Sequence, residues 1–169
     1  MVNLSPYLVA AVALPTLGYL IDQIGERYIF FILSTLLVLS GHLSLLLHPS
    51  CEDQCNSIIV VFVVYGLYLT LYILIGWGSV GLFVRTDYLS TAYGFLSCFQ
   101  NMGTTFLPIL LNVLLDETNS YKSVELAFVC IALTSLALKL VIGWWDLKYR
   151  GGILMAKDPF QSFEKYLSK

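Results

Sequence analysis

Five apolar runs, each long enough to cross a lipid bilayer, occupy most of this chain and leave only short polar connections between them. They cover about Leu4–Ile21, Tyr28–Leu47, Ile58–Val84, Thr91–Leu115 and Val124–Trp144. A helix needs about 20 apolar residues to span the hydrocarbon layer. Inside that layer no water satisfies the backbone, so each run is expected to bond within itself as a helix. The rest of the composition agrees. Of 169 residues, 58% are hydrophobic and only 12% charged, about half the charge of an ordinary soluble domain. The fold class is therefore all-α: a polytopic membrane bundle of about five transmembrane helices.

The same composition excludes several function classes. A net charge of −2 without any basic cluster offers nothing to a phosphate backbone, so no nucleic-acid partner is expected. The first run has no basic segment before it and is followed at once by further spans, unlike a secretory leader. His42 and His48 lack the spaced carboxylate or cysteine partners of a metal site. There is no G-x-S-x-G turn and no glycine-rich phosphate loop. No catalytic residue, no metal ligand and no enzyme activity are expected.

Along the chain, Gly18-Tyr-Leu-Ile-Asp22-Gln-Ile-Gly25-Glu-Arg27 joins the first two runs. A connection so short predicts an antiparallel helix hairpin, with Gly25 supplying the tight turn. Pro15 removes a hydrogen bond within the first span, as a packing kink or as a bend that moves. His42 lies well inside the second span, either bonded to a helix neighbour or functional in its own right. The polar loop after it carries Cys51 and Cys55, whose spacing permits a small disulfide if the loop faces an oxidising lumen. Cys98 and Cys130 lie within spans as small apolar residues.

The third and fourth spans carry patterned faces. Tyr65, Tyr68, Tyr72, Gly76, Ser79 and Phe83 share a ~80° sector of an ideal helix. Phenols at midspan require partners on adjacent helices or a watery cavity. Gly76, Gly78 and Gly81 make the end of this span deformable or closely packed. On the fourth span, Ser90, Gly94, Ser97, Asn101, Thr104, Thr105, Pro108 and Asn112 line one side, opposite Phe95, Phe99, Phe106, Leu110 and Val113. Such a stripe suits a polar path, close helix packing, or both. Lys139 stands near the end of the fifth span, where its stem is expected to snorkel to the interface, the alternative being a coupling role for its charge.

Basic residues set the orientation. Arg27, Arg85, Lys148, Arg150, Lys157, Lys165 and Lys169 fall on one side of the expected bundle, and Lys122 on the other. The N-terminus is then lumenal and the C-terminus cytosolic. Residues 1–147 form the bundle and residues 148–169 a cytosolic tail, in which Phe160, Phe163 and Leu167 can lie on the membrane surface.

The loop pattern G-x3-D-x2-G-x-R resembles the signature between the second and third helices of each half of a major facilitator. Gln23 and Tyr28 stand where that signature usually has basic residues. Leu14 to Asp22, followed by a span with Gly41-His42, is similar to helices eight and nine of a facilitator. Leu89-Ser-Thr-Ala-Tyr-Gly94-Phe-Leu-Ser97-Cys-Phe-Gln100-Asn101-Met-Gly103, with Leu114-Leu-Asp116 beyond it, resembles helix eleven of one branch. That branch is the major facilitator superfamily domain-containing protein 1 group, lysosomal carriers of dipeptides.

The resemblance implies that the spans are helices eight to twelve of a twelve-helix carrier, without its first half or seventh helix. It implies alternating-access transport of dipeptides or other small organic solutes in the lysosomal membrane, with no cofactor. The segment is expected to be incomplete as a carrier alone. The substrate path is then expected at Tyr65, Tyr68, Tyr72 and Asn101, and a gating loop at Gly18, Asp22, Gly25 and Arg27. Partners would be the lipid bilayer, the solute, and an accessory membrane protein or full-length carrier. The competing reading is a non-transporting scaffold or regulator that associates with such a carrier.

Overall fold

A computed structural model of the chain describes residues 5–47 and 56–157. It has five long helices: α1 (Ser5–Ile24), α2 (Arg27–Leu47), α3 (Asn56–Leu71), α4 (Leu89–Thr118) and α5 (Tyr121–Trp145). With the turns that extend them, all five are long and apolar enough to cross a membrane. Cys51 and Cys55 lie outside the described residues, as do Phe160, Phe163 and Leu167.

Gly25 makes the α1–α2 turn. Its φ is +84°, a left-handed conformation that costs glycine nothing, and its N–H closes on the Ile21 carbonyl at 2.8 Å. The expected hairpin does not close along its length, however. α1 and α2 leave the turn on either side of α3, which packs against both, while α5 packs on the other side of α2. Ile21, Leu71 and Ile75 form a buried cluster just above the turn, with Leu17, Phe31 and Leu74 around it.

Close approach explains this insertion of α3. A Cβ at Gly66 would lie 2.5 Å from Val9 Cβ and 2.9 Å from the Pro6 carbonyl oxygen, so α1 and α3 meet almost backbone to backbone. Without a hydrophobic drive between helices in lipid, small residues that permit such contact supply much of the association.

The third span is not one helix through Val84. After Leu71 it widens into a π-helical turn, Tyr72–Trp77, and then a 3₁₀ turn, Val80–Leu82. Gly76, Gly78 and Gly81 weaken the α-helix here. A π turn has i→i+5 bonding and shifts the angular register, so the stripe from Tyr65 to Phe83 divides in two. α4 begins after a 3₁₀ turn at Thr86–Tyr88. It ends where Asn119 turns left-handed (φ 48°) with its N–H on the Leu115 carbonyl, a common helix stop.

Beyond α5, the turn Asp146–Arg150 and the segment up to Lys157 fold back on the bundle. Gly151 and Gly152 have φ of +75° and +77°, and Ile153 and Leu154 are buried. Lys157 comes against Gly25, and the Arg150 guanidinium stands 4.8 Å from the Phe83 ring. One end of the bundle thus gathers the α1–α2 turn, the end of α3 and this returning segment.

Gly66→Leu would have to part α1 from α3, an overpacking that costs about 1–3 kcal/mol. Gly94 has open space around its Cβ position, so Gly94→Ala should hold or slightly raise stability. Thermal unfolding of the two variants in detergent distinguishes them; equal behaviour would contradict this packing.

Candidate functional site

Two polar clusters tie α2 to its neighbours. Near one end, His42 Nδ1 lies 2.8 Å from Glu125 Oε2 on α5 and 3.0 Å from the Tyr65 hydroxyl on α3. One ring nitrogen carries a single hydrogen or a single lone pair, so it serves one of these partners fully and the other only in part. The Phe128 ring stacks on the imidazole with centroids 4.6 Å apart. Gly41 admits the arrangement: a Cβ there would lie 2.7 Å from the Tyr65 ring. His42 therefore has its hydrogen-bond partners on two neighbouring helices.

Toward the other end, Lys139 differs from expectation. It does not reach for the interface beside Trp144. Its ammonium donates to the Phe31 carbonyl at 3.1 Å, to Ser34 Oγ at 3.2 Å and to Thr35 Oγ1, and lies 4.1 Å from the Phe31 ring centroid. Side chains on a helix lean toward its N-terminus, which starts this stem away from the Trp144 end. Three acceptors on α2 then match the three ammonium hydrogens. Tyr28 adds a hydrogen bond from its hydroxyl to the Lys139 carbonyl at 3.2 Å, in a close contact with Gly143.

The residues expected to line a path are not brought into one cluster. Tyr65 is held by His42. Tyr68 and Tyr72 lie side by side, ring centroids 6.1 Å apart. Both are half-buried, and among the described residues neither hydroxyl has a hydrogen-bond partner. Asn101 lies on α4, a helix with no buried residue. Asn101, Thr104, Thr105 and Asn112 are all exposed, as are Phe95, Phe99 and Phe106. The polar stripe of α4 thus faces outward from these five helices. Its described bonds are internal: Thr104 donates to the Asn101 carbonyl at 3.1 Å.

The α1–α2 turn does assemble its charges. Arg27 pairs with Asp22 at 3.5 Å and donates to the Gly78 carbonyl at 3.3 Å, joining the turn to the widened end of α3. Gly18 packs against Leu74.

Glu125 carried no role in the sequence reading. The signal for it was an acidic residue just inside an apolar run, on the helix that antiparallel packing sets beside His42. Among the described residues no group of His, Cys, Asp and Glu is arranged to hold a metal ion.

Five spanning helices with polar contacts between them define a multi-pass α-helical membrane protein. The profile of the Major Facilitator Superfamily matches residues 1–157, and the chain belongs to that family. It is similar to "Lysosomal dipeptide transporter MFSD1" of Bos taurus, 28% identical over 141 residues, which is 83% of this chain and 29% of that protein. The protein of the same name from Danio rerio is 28% identical over 153 residues, 90% of this chain and 32% of that one. The chain thus spans about three tenths of the length of these relatives. No solved structure matches it.

Lys139→Met removes the charge along with its bonds and leaves Ser34 bonded to the Phe31 carbonyl. Its cost should be about 1 kcal/mol. The double change Ser34→Ala, Thr35→Val leaves the ammonium short of acceptors and should cost about 2 kcal/mol or more. Unfolding in detergent compares them, and the reverse order would mean that Lys139 points elsewhere.

Proposed function

We propose that this chain is the C-terminal part, helices eight to twelve, of a secondary active or facilitative solute transporter of the lysosomal membrane. Its solutes are dipeptides or other small organic molecules, carried by alternating access rather than altered by catalysis. The observation that carries the reading is the uncovered polar face of α4. Asn101, Thr104, Thr105 and Asn112 are exposed along a helix long enough to span the membrane. In hydrocarbon such a face is costly, so it calls for water, solute or a second polar surface. A facilitator supplies all three between its halves. The named function of the relatives, dipeptide transport, supports the substrate class.

Within this reading, α3 and α4 border the path. The Tyr68 and Tyr72 hydroxyls, partnerless among the described residues, are suited to bind amide groups of a peptide-like solute without burying a full charge. Tyr65, already bonded to His42, flanks the path and couples it to α2 and α5. Asn101 offers both a donor and an acceptor from α4. The Asp22–Arg27 pair braces the turn as a gate, with Gly18 and Gly25 allowing its close packing. The basic end, where Arg27, Arg85, Lys148 and Arg150 lie, is cytosolic by the excess of positive charge, and the tail from Lys148 lies on that side. An accessory membrane protein or the remaining helices of a carrier would cover α4.

In a complete carrier containing this segment, Tyr68→Phe, Tyr72→Phe and Asn101→Ala should each weaken apparent solute affinity about fivefold, for one lost hydrogen bond near 1 kcal/mol. Abundance and thermal stability should stay near parental. Parental affinity in all three, with lowered stability, would assign these residues to packing instead.

A further inference from the structure

Where α2, α3 and α5 meet at His42, one hydrogen is left without an acceptor among the described residues. Nδ1 lies 2.8 Å from Glu125 Oε2 and 3.0 Å from the Tyr65 hydroxyl oxygen. A carboxylate only accepts, and imidazole is ordinarily a stronger base than a carboxylate. The hydrogen of the shorter contact therefore sits on Nδ1 and points at Glu125, at the length of a charge-assisted bond. Toward Tyr65 the same hydrogen is only shared, so the phenol oxygen accepts and its own hydrogen is left over. Tyr65 is half-buried, where a donor without an acceptor is costly.

The surroundings hold this arrangement. Phe128 stacks on the imidazole, and Gly41 brings the Tyr65 ring against α2, so both rings are confined. The side chains of His42 and Glu125 are 14% and 23% exposed, which leaves little room for water to replace the carboxylate. Without Glu125, the Tyr65 hydroxyl is the remaining partner of Nδ1. A neutral imidazole with its hydrogen on Nε2 accepts at Nδ1, and a phenol donates more strongly than it accepts. The Tyr65 hydrogen would then be captured by His42.

We infer that Glu125 is a positioning residue: through His42 it keeps the Tyr65 hydroxyl hydrogen available to an acceptor oxygen of the solute, a peptide carbonyl or a carboxylate. This rests on the transport reading, in which Tyr65 flanks the path. The role needs a group that occupies Nδ1 rather than a charge, which separates it from the carrying of a proton. Glu125→Gln still offers Nδ1 a partner through its amide, whereas Glu125→Leu offers none.

Two measurements test this, and the first is independent of transport. The chain has two histidines, so His48→Gln in the purified chain, labelled with isotope-enriched histidine, leaves the His42 ring alone in the NMR spectrum. Its multiple-bond nitrogen–proton spectrum is read at about pH 8, above the ordinary imidazole range. Nδ1 should carry a hydrogen in this parent and be bare in Glu125→Leu. A bare Nδ1 in the parent, or a hydrogen retained on Nδ1 in Glu125→Leu, would overturn the inference. Should that variant fail to fold, the parental spectrum decides.

The second is uptake of alanyl-alanine by a complete carrier containing this segment. Tyr65→Phe and Glu125→Leu should each weaken apparent affinity about fivefold, the weight of one hydrogen bond. Together they should cost no more than either alone, since both remove the same donor. Glu125→Gln should keep the parental affinity. Additive losses in the double variant, or lost uptake in Glu125→Gln, would overturn the positioning role. Parental affinity in Tyr65→Phe alongside the expected spectra would overturn the contact with solute and take Tyr65 out of the path, leaving the hydrogen on Nδ1 as assigned.

Discussion

A polar side chain inside hydrocarbon has to find its partner on another helix, and α2 is where this bundle meets that requirement. His42 finds Glu125 and Tyr65, and Ser34, Thr35 and the Phe31 carbonyl receive Lys139. Each such bond contributes only about 1 kcal/mol in a membrane. Their larger effect is on register. Two ties at separated points of α2 and α5 leave one antiparallel alignment in which both are satisfied, because sliding either helix by a turn would leave an ammonium and a carboxylate unmatched. Gly41 of α2 makes room for Tyr65 of α3, and Gly143 of α5 for Tyr28 of α2.

α4 is built on a different rule. It carries comparable polarity, with Asn101, Thr104, Thr105 and Asn112, yet none of it is turned into the bundle. The helix touches α5 and the turns that end the third span, and its two contrasting faces are both left outward. α2 and α5 thus form an internally satisfied frame, and α4 is a helix whose polar face requires something beyond the described residues. The proposed transport path is one surface that would meet that requirement.

The long runs were legible as helices because length and apolarity alone dictate them in lipid. The turn at Gly25 was legible because glycine and paired charges between two spans leave few geometries, but the connection is shorter than the stretch read as a loop: Gly18 and Asp22 belong to the last turns of α1, and Arg27 already opens α2. What could not be read was which helix lies beside which. The splaying of α1 from α2 depends on Gly66 meeting Val9, a contact between residues far apart in sequence. Division of the tyrosine stripe depends on a π turn, which shifts angular register with no change in hydrophobicity. Lys139 was misdirected because nearby tryptophans signal an interface, whereas its partners on α2 are distant in the chain. The branch-specific stretch from Leu89 to Gly103 indicated the family without indicating that its polar side would face outward.

The central claim is that the polar face of α4 borders an aqueous path while its aromatic face meets lipid or protein. Cysteine accessibility along α4 tests this most directly, in a complete carrier whose native cysteines, Cys51, Cys55, Cys98 and Cys130 among them, are replaced by serine. Single cysteines at Gly94, Asn101 and Thr105, and at Phe95, Phe99 and Phe106, are treated with a charged thiosulfonate. The account predicts modification at the first three positions, slowed by substrate, and protection at the aromatic three. Equal protection on both faces, or reaction confined to the aromatic face, would contradict it.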